Sequence, residues 1–263
     1  GNDIDILNVS VLASSSGSVT VGEVTVGEEN IDVSAGGVVS ASIDYDISYS
    51  GTDDTLGNIT VGDISLTVED DAAVDFDAVF VATGNSLGDL TIGDISVIGS
   101  SLSLNATADV LDFTVRASSA EDMGDVTVGD ITVVLADQQN GNMIFAVTNI
   151  TDDAGDMTVG DVSVTVGDDS SFVLSLTLNA TGSAGDITVG DITLNLGDEV
   201  TAGDVAINAI ATDGDITLGD IAINGTGYSD TSAFALTGMF NLTASVSGDV
   251  NVGDIDVSGV SNY

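Results

Sequence analysis

Along the chain, apolar and polar residues alternate with a period of two, and the alternation slips at recurring glycines. In the stretch from Gly185, Ile187 and Val189 alternate with Asp186 and Thr188. After Gly190 the phase shifts by one, and Ile192, Leu194 and Leu196 alternate with Asp191, Thr193 and Asn195. Period-two alternation is the signature of a half-buried β-strand. An extra residue at a glycine, followed by resumed alternation, reads as a β-bulge or strand bend. The slip predicts that Asp186, Thr188, Asp191 and Thr193 share one face.

This ten-residue unit, Gly-Asp-Ile-Thr-Val-Gly-Asp-Ile-Thr-Val with small variations, occurs eight times, beginning at Gly17, Gly57, Gly88, Gly124, Gly155, Gly185, Gly214 and Gly248. The spacings are 40, 31, 36, 31, 30, 29 and 34 residues. Self-similarity at such a period marks a repeat architecture, so residues 1–263 read as a single β-repeat array. Between copies lies a second alternating stretch, such as Leu174, Leu176, Leu178 and Ala180 against Ser175, Thr177 and Asn179. Equivalent stretches run over Val39 to Tyr49, Leu102 to Ala108, and Ala233 to Val246. Clusters such as Gly167-Asp168-Asp169-Ser170 supply turns.

One apolar face per strand requires two layers around a core. The expected fold is therefore all-β, a two-layer array of eight units, either a β-solenoid or an elongated β-sandwich. The solenoid is preferred, because the first strands resemble one another far better than they resemble the second strands. A membrane barrel is the third arrangement. It would need aromatic girdles, whereas aromatics make up 4% of the residues.

Composition narrows the chemistry. Lys and Arg together number 1, Asp and Glu 43, and the formal net charge is -42. A surface this negative cannot displace the counterions of DNA or RNA, nor bind anionic lipid. Cys and His are absent, which removes disulfides, thiol catalysis, imidazole bases and the commonest transition-metal ligands. The chain begins at Gly1 without an initiator Met, which reads as a mature product from which a leader has been removed.

The acids are periodic. The first acidic position of the motif is Asp89, Asp125, Asp156, Asp186, Asp215 and Asp249, with Ser18 and Asn58 in the earliest copies. The second is Glu23, Asp63, Asp94, Asp130, Asp161, Asp191, Asp220 and Asp254. In a stacked solenoid these form carboxylate ladders with a spacing of about 4.8 Å. Each neighbouring pair then costs roughly 1 kcal/mol in water. Bound cations relieve that cost, and calcium, which takes oxygen ligands in flexible geometry, is the natural candidate cofactor. The plain alternative is that Gly-Asp is turn chemistry and that Asp keeps the faces soluble. No copy matches an EF-hand loop, and no organic cofactor is implied.

Asn-x-Ser/Thr sequons stand at Asn8, Asn58, Asn105, Asn149, Asn179, Asn224 and Asn241. Asn105, Asn149, Asn179 and Asn241 fall in second strands, on the expected outer face, where glycans would sit on an exported protein. Arg116, the only base, reads as a loop or strand-end residue. Paired carboxylates are the only catalytic candidates, but every copy carries them alike and no aromatic sugar platform accompanies them, so an enzyme is not expected. Threonine on a solvent-facing strand is ordinary β-propensity. No Thr-x-Thr ladder suggests ice binding.

The ends of an array are open edges, and soluble solenoids normally cap theirs. Neither end carries a helix-like cap, and the chain has no Pro. Base-poor repeats rich in Asp, Gly, Val and Thr, such as Gly155-Asp-Met-Thr-Val-Gly-Asp-Val-Ser-Val with its neighbouring sequons, resemble archaeal cell-envelope proteins. The tubular amyloid-like sheaths of filamentous methanogens are the nearest type. The resemblance covers the whole chain in composition and style, without a diagnostic motif. It implies an extracellular, cell-surface structural protein that polymerises with itself through β-edges into a fibre, sheath or surface layer. In this reading divalent cations neutralise the Asp ladders, and the protein does not insert into membranes. The alternative expectation is a monomeric calcium-dependent adhesin or binding module.

Overall fold

A computed structural model describes residues 2–14, 20–21, 24–26, 29–33, 37–50, 55–68, 72–99, 110–135, 137, 140–153, 155–168, 170–183, 185–198, 200, 203–225, 236–244 and 247–258. Every regular element among them is a strand, and every strand pairing is parallel. The fold is a β-solenoid, the preferred of the two expected arrangements.

Each repeat adds one strand to each of three sheets, and the first sheet also holds the two-residue strands Thr20–Val21 and Thr55–Leu56. The long sheet stacks Asn2–Ser14, Gly37–Ser50, Ala72–Leu87, Val110–Met123, Asn140–Asp153, Ser171–Ser183, Gly203–Ala211 and Leu236–Ala244. A second sheet stacks three-residue strands: Val24–Val26, Ile59–Val61, Leu90–Ile92, Val126–Val128, Met157–Val159, Ile187–Val189, Ile216–Leu218 and Val250–Val252. The third stacks Glu29–Val33, Ile64–Val68, Ile95–Gly99, Ile131–Leu135, Val162–Val166, Ile192–Leu196, Ile221–Gly225 and Ile255–Ser258.

The motif is thus not one bulged strand. Its halves belong to different sheets, and the Gly-Asp step between them, Gly190-Asp191 in the copy from Gly185, is a corner. The side-chain consequence is the same as for a bulge. Ile187, Val189, Ile192, Leu194 and Leu196 are all buried, whereas Asp186, Thr188 and Asp191 are exposed and Thr193 half-buried. The aliphatic faces of all three sheets meet in one core cluster, joined from the long strands by residues such as Phe145, Leu174, Leu176 and Ile207. Burying each Leu or Ile contributes roughly 1.5–3 kcal/mol.

Register is pinned because like stacks on like. Ile187 pairs with Met157 on one side and Ile216 on the other, and Leu194 with Val164 and Ile223. A slip by one residue would turn every apolar side chain outward. The expected strand at Leu102 to Ala108 lies in a segment outside the described residues. The long strand of that coil is Val110–Met123. Arg116 lies well inside this strand, in register with Val81 and Thr148, rather than at a loop or strand end. Its strand is held on both sides by β-branched and aromatic neighbours, which overrides the expectation from a lone base.

The first motif sits in a different register from its sequence alignment. Val24–Val26 pairs with Ile59–Val61, and Glu29–Val33 with Ile64–Val68. The Gly-acid steps preceding these strands are Gly22-Glu23 and Gly27-Glu28, one five-residue unit later than a motif beginning at Gly17. Residues 17–33 contain three successive Gly-initiated units, so a shift by five preserves most matches. The shifted register lets residues 29–33 supply a complete partner for Ile64–Val68, and it sets Glu29 opposite Ile64.

Candidate functional site

The corners carry the acids, and their geometry explains the Gly-Asp dipeptide. At each corner the backbone leaves one sheet before joining the next, and its amide needs a partner. The Asp carboxylate of the preceding coil provides it. Along the first ladder, the amides of Asp89, Asp125, Asp156, Asp186, Asp215 and Asp249 donate to Oδ1 of Asn58, Asp89, Asp125, Asp156, Asp186 and Asp215, at 2.7–3.1 Å. Along the second, the amides of Asp94, Asp130, Asp161, Asp191, Asp220 and Asp254 donate to Oδ1 of Asp63, Asp94, Asp130, Asp161, Asp191 and Asp220, at 2.8–3.0 Å. Asn58 enters the first ladder on equal terms because its carboxamide oxygen is also an acceptor. Its Nδ2 also donates to Asp89 Oδ2 at 3.3 Å.

The same carboxylates impose the glycines. A Cβ placed on Gly190 would collide with Oδ1 of Asp161 and come within 2.9 Å of the Asp161 amide nitrogen. Gly93, Gly129, Gly160, Gly219 and Gly253 face the same obstruction from Asp63, Asp94, Asp130, Asp191 and Asp220. Glycine is required here for close approach rather than for an unusual backbone angle.

A third ladder was not anticipated. Asp168 donates its amide to Oδ1 of Asp137 at 3.0 Å, and Asp198 donates to Oδ1 of Asp168 at 2.6 Å. The sequence signal was present at Gly167-Asp168 and Gly197-Asp198, but it read as an ordinary turn cluster. Only the stack reveals that these steps repeat the chemistry of the other corners. Ser170, fully buried, anchors this corner by donating to the Asp168 carbonyl at 3.1 Å.

All twelve expected metal-site residues, Asp89, Asp94, Asp125, Asp130, Asp156, Asp161, Asp186, Asp191, Asp215, Asp220, Asp249 and Asp254, lie at corners, in two separate files. Single file spreads the acids along the stack, and among the described residues no three acids gather into a group that could hold an ion. One oxygen of each internal carboxylate is engaged by an amide. The ladders are therefore structural elements first.

The sequons divide by environment. Asn58 is in the first ladder. Asn224 donates from Nδ2 to Asn195 Oδ1 at 3.1 Å and accepts from the Ser258 hydroxyl at 3.0 Å. Asn179 is half-buried on the outer side of its strand, with its Oδ1 shielded from water. Asn241 shares register with Asn208. Asn149 lies in the long strand Asn140–Asp153, in register with Ala117 and Ala180. Asn8 lies in the first long strand, and Asn105 falls outside the described residues.

One rank of threonines does run along the second sheet, Thr60, Thr91, Thr127, Thr158, Thr188 and Thr217 in register. It is a single rank between two Asp ladders, not the doubled array that ice recognition favours.

Removing a ladder carboxylate and merely neutralising it should have different effects. Asp156→Ala strips the acceptor from the Asp186 amide and is expected to cost roughly 1 kcal/mol in denaturant unfolding. Asp156→Asn keeps an acceptor and relieves repulsion along the file, so it should be neutral or stabilising at low salt. Equal losses in the two variants would show that charge, not the amide bond, is what the position supplies.

Compared with protein-family models, curated proteins and solved structures, the chain matches none of them.

Proposed function

We propose that the chain is a structural subunit that self-assembles through its β-edges into an extracellular, cell-surface fibre, sheath or surface layer. The observation that carries this reading is the stack itself, in which near-identical coils pair in parallel and in register along all three sheets. Val250, Val252, Ile255 and Val257 are 43%, 42%, 55% and 51% exposed, whereas their partners one coil earlier, Ile216, Leu218, Ile221 and Ile223, are 1%, 2%, 1% and 4% exposed. Among the described residues no strand pairs beyond this coil in the second or third sheet. Such an edge is a template for further pairing. Parallel, in-register stacking of near-identical units is also the geometry that extends without limit.

In this reading divalent cations, calcium foremost, collect along the Asp ladders as shared counterions that relieve a net charge of -42. The repetition of one corner chemistry along the described coils supports a structural role over catalysis. The composition and style shared with archaeal sheath proteins point the same way, and glycans at outward sequons suit an exported surface.

Electron microscopy and sedimentation of the purified protein test this. Ordered fibres or tubes are expected, and Val252→Asp with Val257→Asp should reduce them to single particles. Loosening by a calcium chelator would assign part of the cohesion to bridged carboxylates, and indifference to it would assign cohesion to edges and core. Single particles of the unmodified chain, with calcium present, would overturn the polymer and favour a monomeric calcium-dependent adhesin.

A further inference from the structure

We infer that the outer face of the long sheet, across the strands Asn140–Asp153, Ser171–Ser183 and Gly203–Ala211, is a lateral contact that pairs with the same face of a second copy of this chain. This rests on the self-assembly reading above and adds a sideways contact to it.

The distribution of charge singles out this face. In the second sheet each strand presents one outward side chain, such as exposed Thr188, between Asp186 and Asp191 of the two ladders. In the third sheet Thr193 and Asn195 lie between Asp191 and Asp198. Both faces are narrow strips edged by carboxylates, and like copies repel there. The long strands are different. Ser171–Ser183 is 13 residues long, and the acids nearest Thr177 along the chain, Asp169 and Asp186, come after its ends. At about 3.3 Å per residue each end of the strand is about 20 Å from Thr177, more than twice the screening length of about 8 Å at physiological salt.

The outward registers stay neutral from strand to strand. Leu176 and Leu178 are buried in the core, which leaves Thr177 half-buried on the outer side. Thr177 is in register with Ala146 and Asn208, both half-buried. The rank on one side runs through Ile144, Ser175 and Ala206, and the rank on the other through Thr148, Asn179 and Ile210. None of these side chains is charged, in a molecule of net charge -42. Beyond them Val173 is 38% exposed, and Asp204 in its register marks one border. Toward the earlier strands the same registers turn acidic. The rank of Thr177 continues through Thr114 and Val79 to Asp44.

A second copy is the partner this chemistry fits. A neutral face of aliphatic, hydroxyl and amide groups has no charge to offer a charged ligand, and it gains by removing apolar surface from water. Two copies this acidic approach closely only where neither presents carboxylates. Sheets pack face to face in this way at a separation of about 10 Å. The three strands, 14, 13 and 9 residues long, are large enough for it. At a strand spacing of about 4.8 Å they cover roughly 570 Å², so a pair buries roughly 1,100 Å², just above the ~1,000 Å² that a specific interface needs. Along two assembled stacks such contacts add, because each further pair forms between partners already joined.

Sedimentation and electron microscopy at physiological salt test the contact. The unmodified chain should form stacks paired side by side. Thr177→Asp and Thr177→Lys should each weaken pairing by roughly tenfold or more, because either charge is stripped of water at the contact. The lysine variant is the sharper of the two, since it lowers the net negative charge and would strengthen any association limited only by repulsion. Thr188→Lys, on the second sheet, should leave pairing no weaker. Circular dichroism separates a lost contact from misfolding. Pairing by Thr177→Lys as strong as that of the unmodified chain would overturn the inference, and so would a glycan on Asn179 of the native protein, which would stand on this face. Fibres that remain single stacks would overturn it and leave the structural function standing. Face-to-face pairs that Thr177→Lys dissociates, without any fibre, would uphold the contact and overturn assembly through β-edges.

Discussion

Leu194→Ala should lower the unfolding free energy by roughly 2–5 kcal/mol, because it opens a cavity in a core whose neighbouring side chains are held in register and cannot collapse fully into it. Leu194 is fully buried and lies between Val164 and Ile223 in adjacent coils. The loss should also be local. Each coil of a solenoid contacts chiefly its neighbours, so stability is close to a sum of nearest-neighbour terms. Hydrogen exchange should accelerate in Val162–Val166, Ile192–Leu196 and Ile221–Gly225 before it does in the distant Ile64–Val68. Uniform acceleration across all four strands would contradict the array description. A cost below about 1 kcal/mol would contradict the close packing of the core.

Gly190→Ala is expected to cost roughly 1–3 kcal/mol, a large effect for adding one methyl group near the surface. The new Cβ would meet Oδ1 of Asp161 and press on its amide nitrogen and on the Gly160 carbonyl carbon, each 2.9 Å away. Strand spacing at that corner would have to widen, straining the bond from the Gly190 amide to the Val159 carbonyl, which is 3.0 Å long. The neighbouring Thr188→Ala, at an exposed position of the strand Ile187–Val189 that leads into this corner, should change stability by less than about 0.5 kcal/mol. Combining Gly190→Ala with Asp161→Ala should cost less than the sum of the two, since the second removes the atom the first collides with. A denaturant double-mutant cycle measures this. Strict additivity would mean that the backbone, not the carboxylate, sets the glycine requirement.

The amino-acid sequence by itself determined the all-β class, the array and the inside-outside assignment of the motif. These are local properties: a period of two and its phase at each glycine decide which side chains are aliphatic together, as Ile187, Val189, Ile192, Leu194 and Leu196 show. The same local pattern could not distinguish a bulge from a corner. Both insert one residue at Gly190, and only pairing with neighbouring coils shows that the two halves join different sheets.

The purpose of the aspartates was likewise hidden. Their spacing predicted ladders, but that each carboxylate holds the next coil's amide, and thereby requires the next coil's glycine, involves residues some 29–36 positions apart. It follows from strand spacing, which no single copy contains. Asp137, Asp168 and Asp198 escaped notice for the same reason, as did the five-residue shift of the first coil. Local alternation is written in each strand. Parallel direction, register between coils and the partners of the corner amides are set by which strands the packed core brings side by side, so only the tertiary structure decided them.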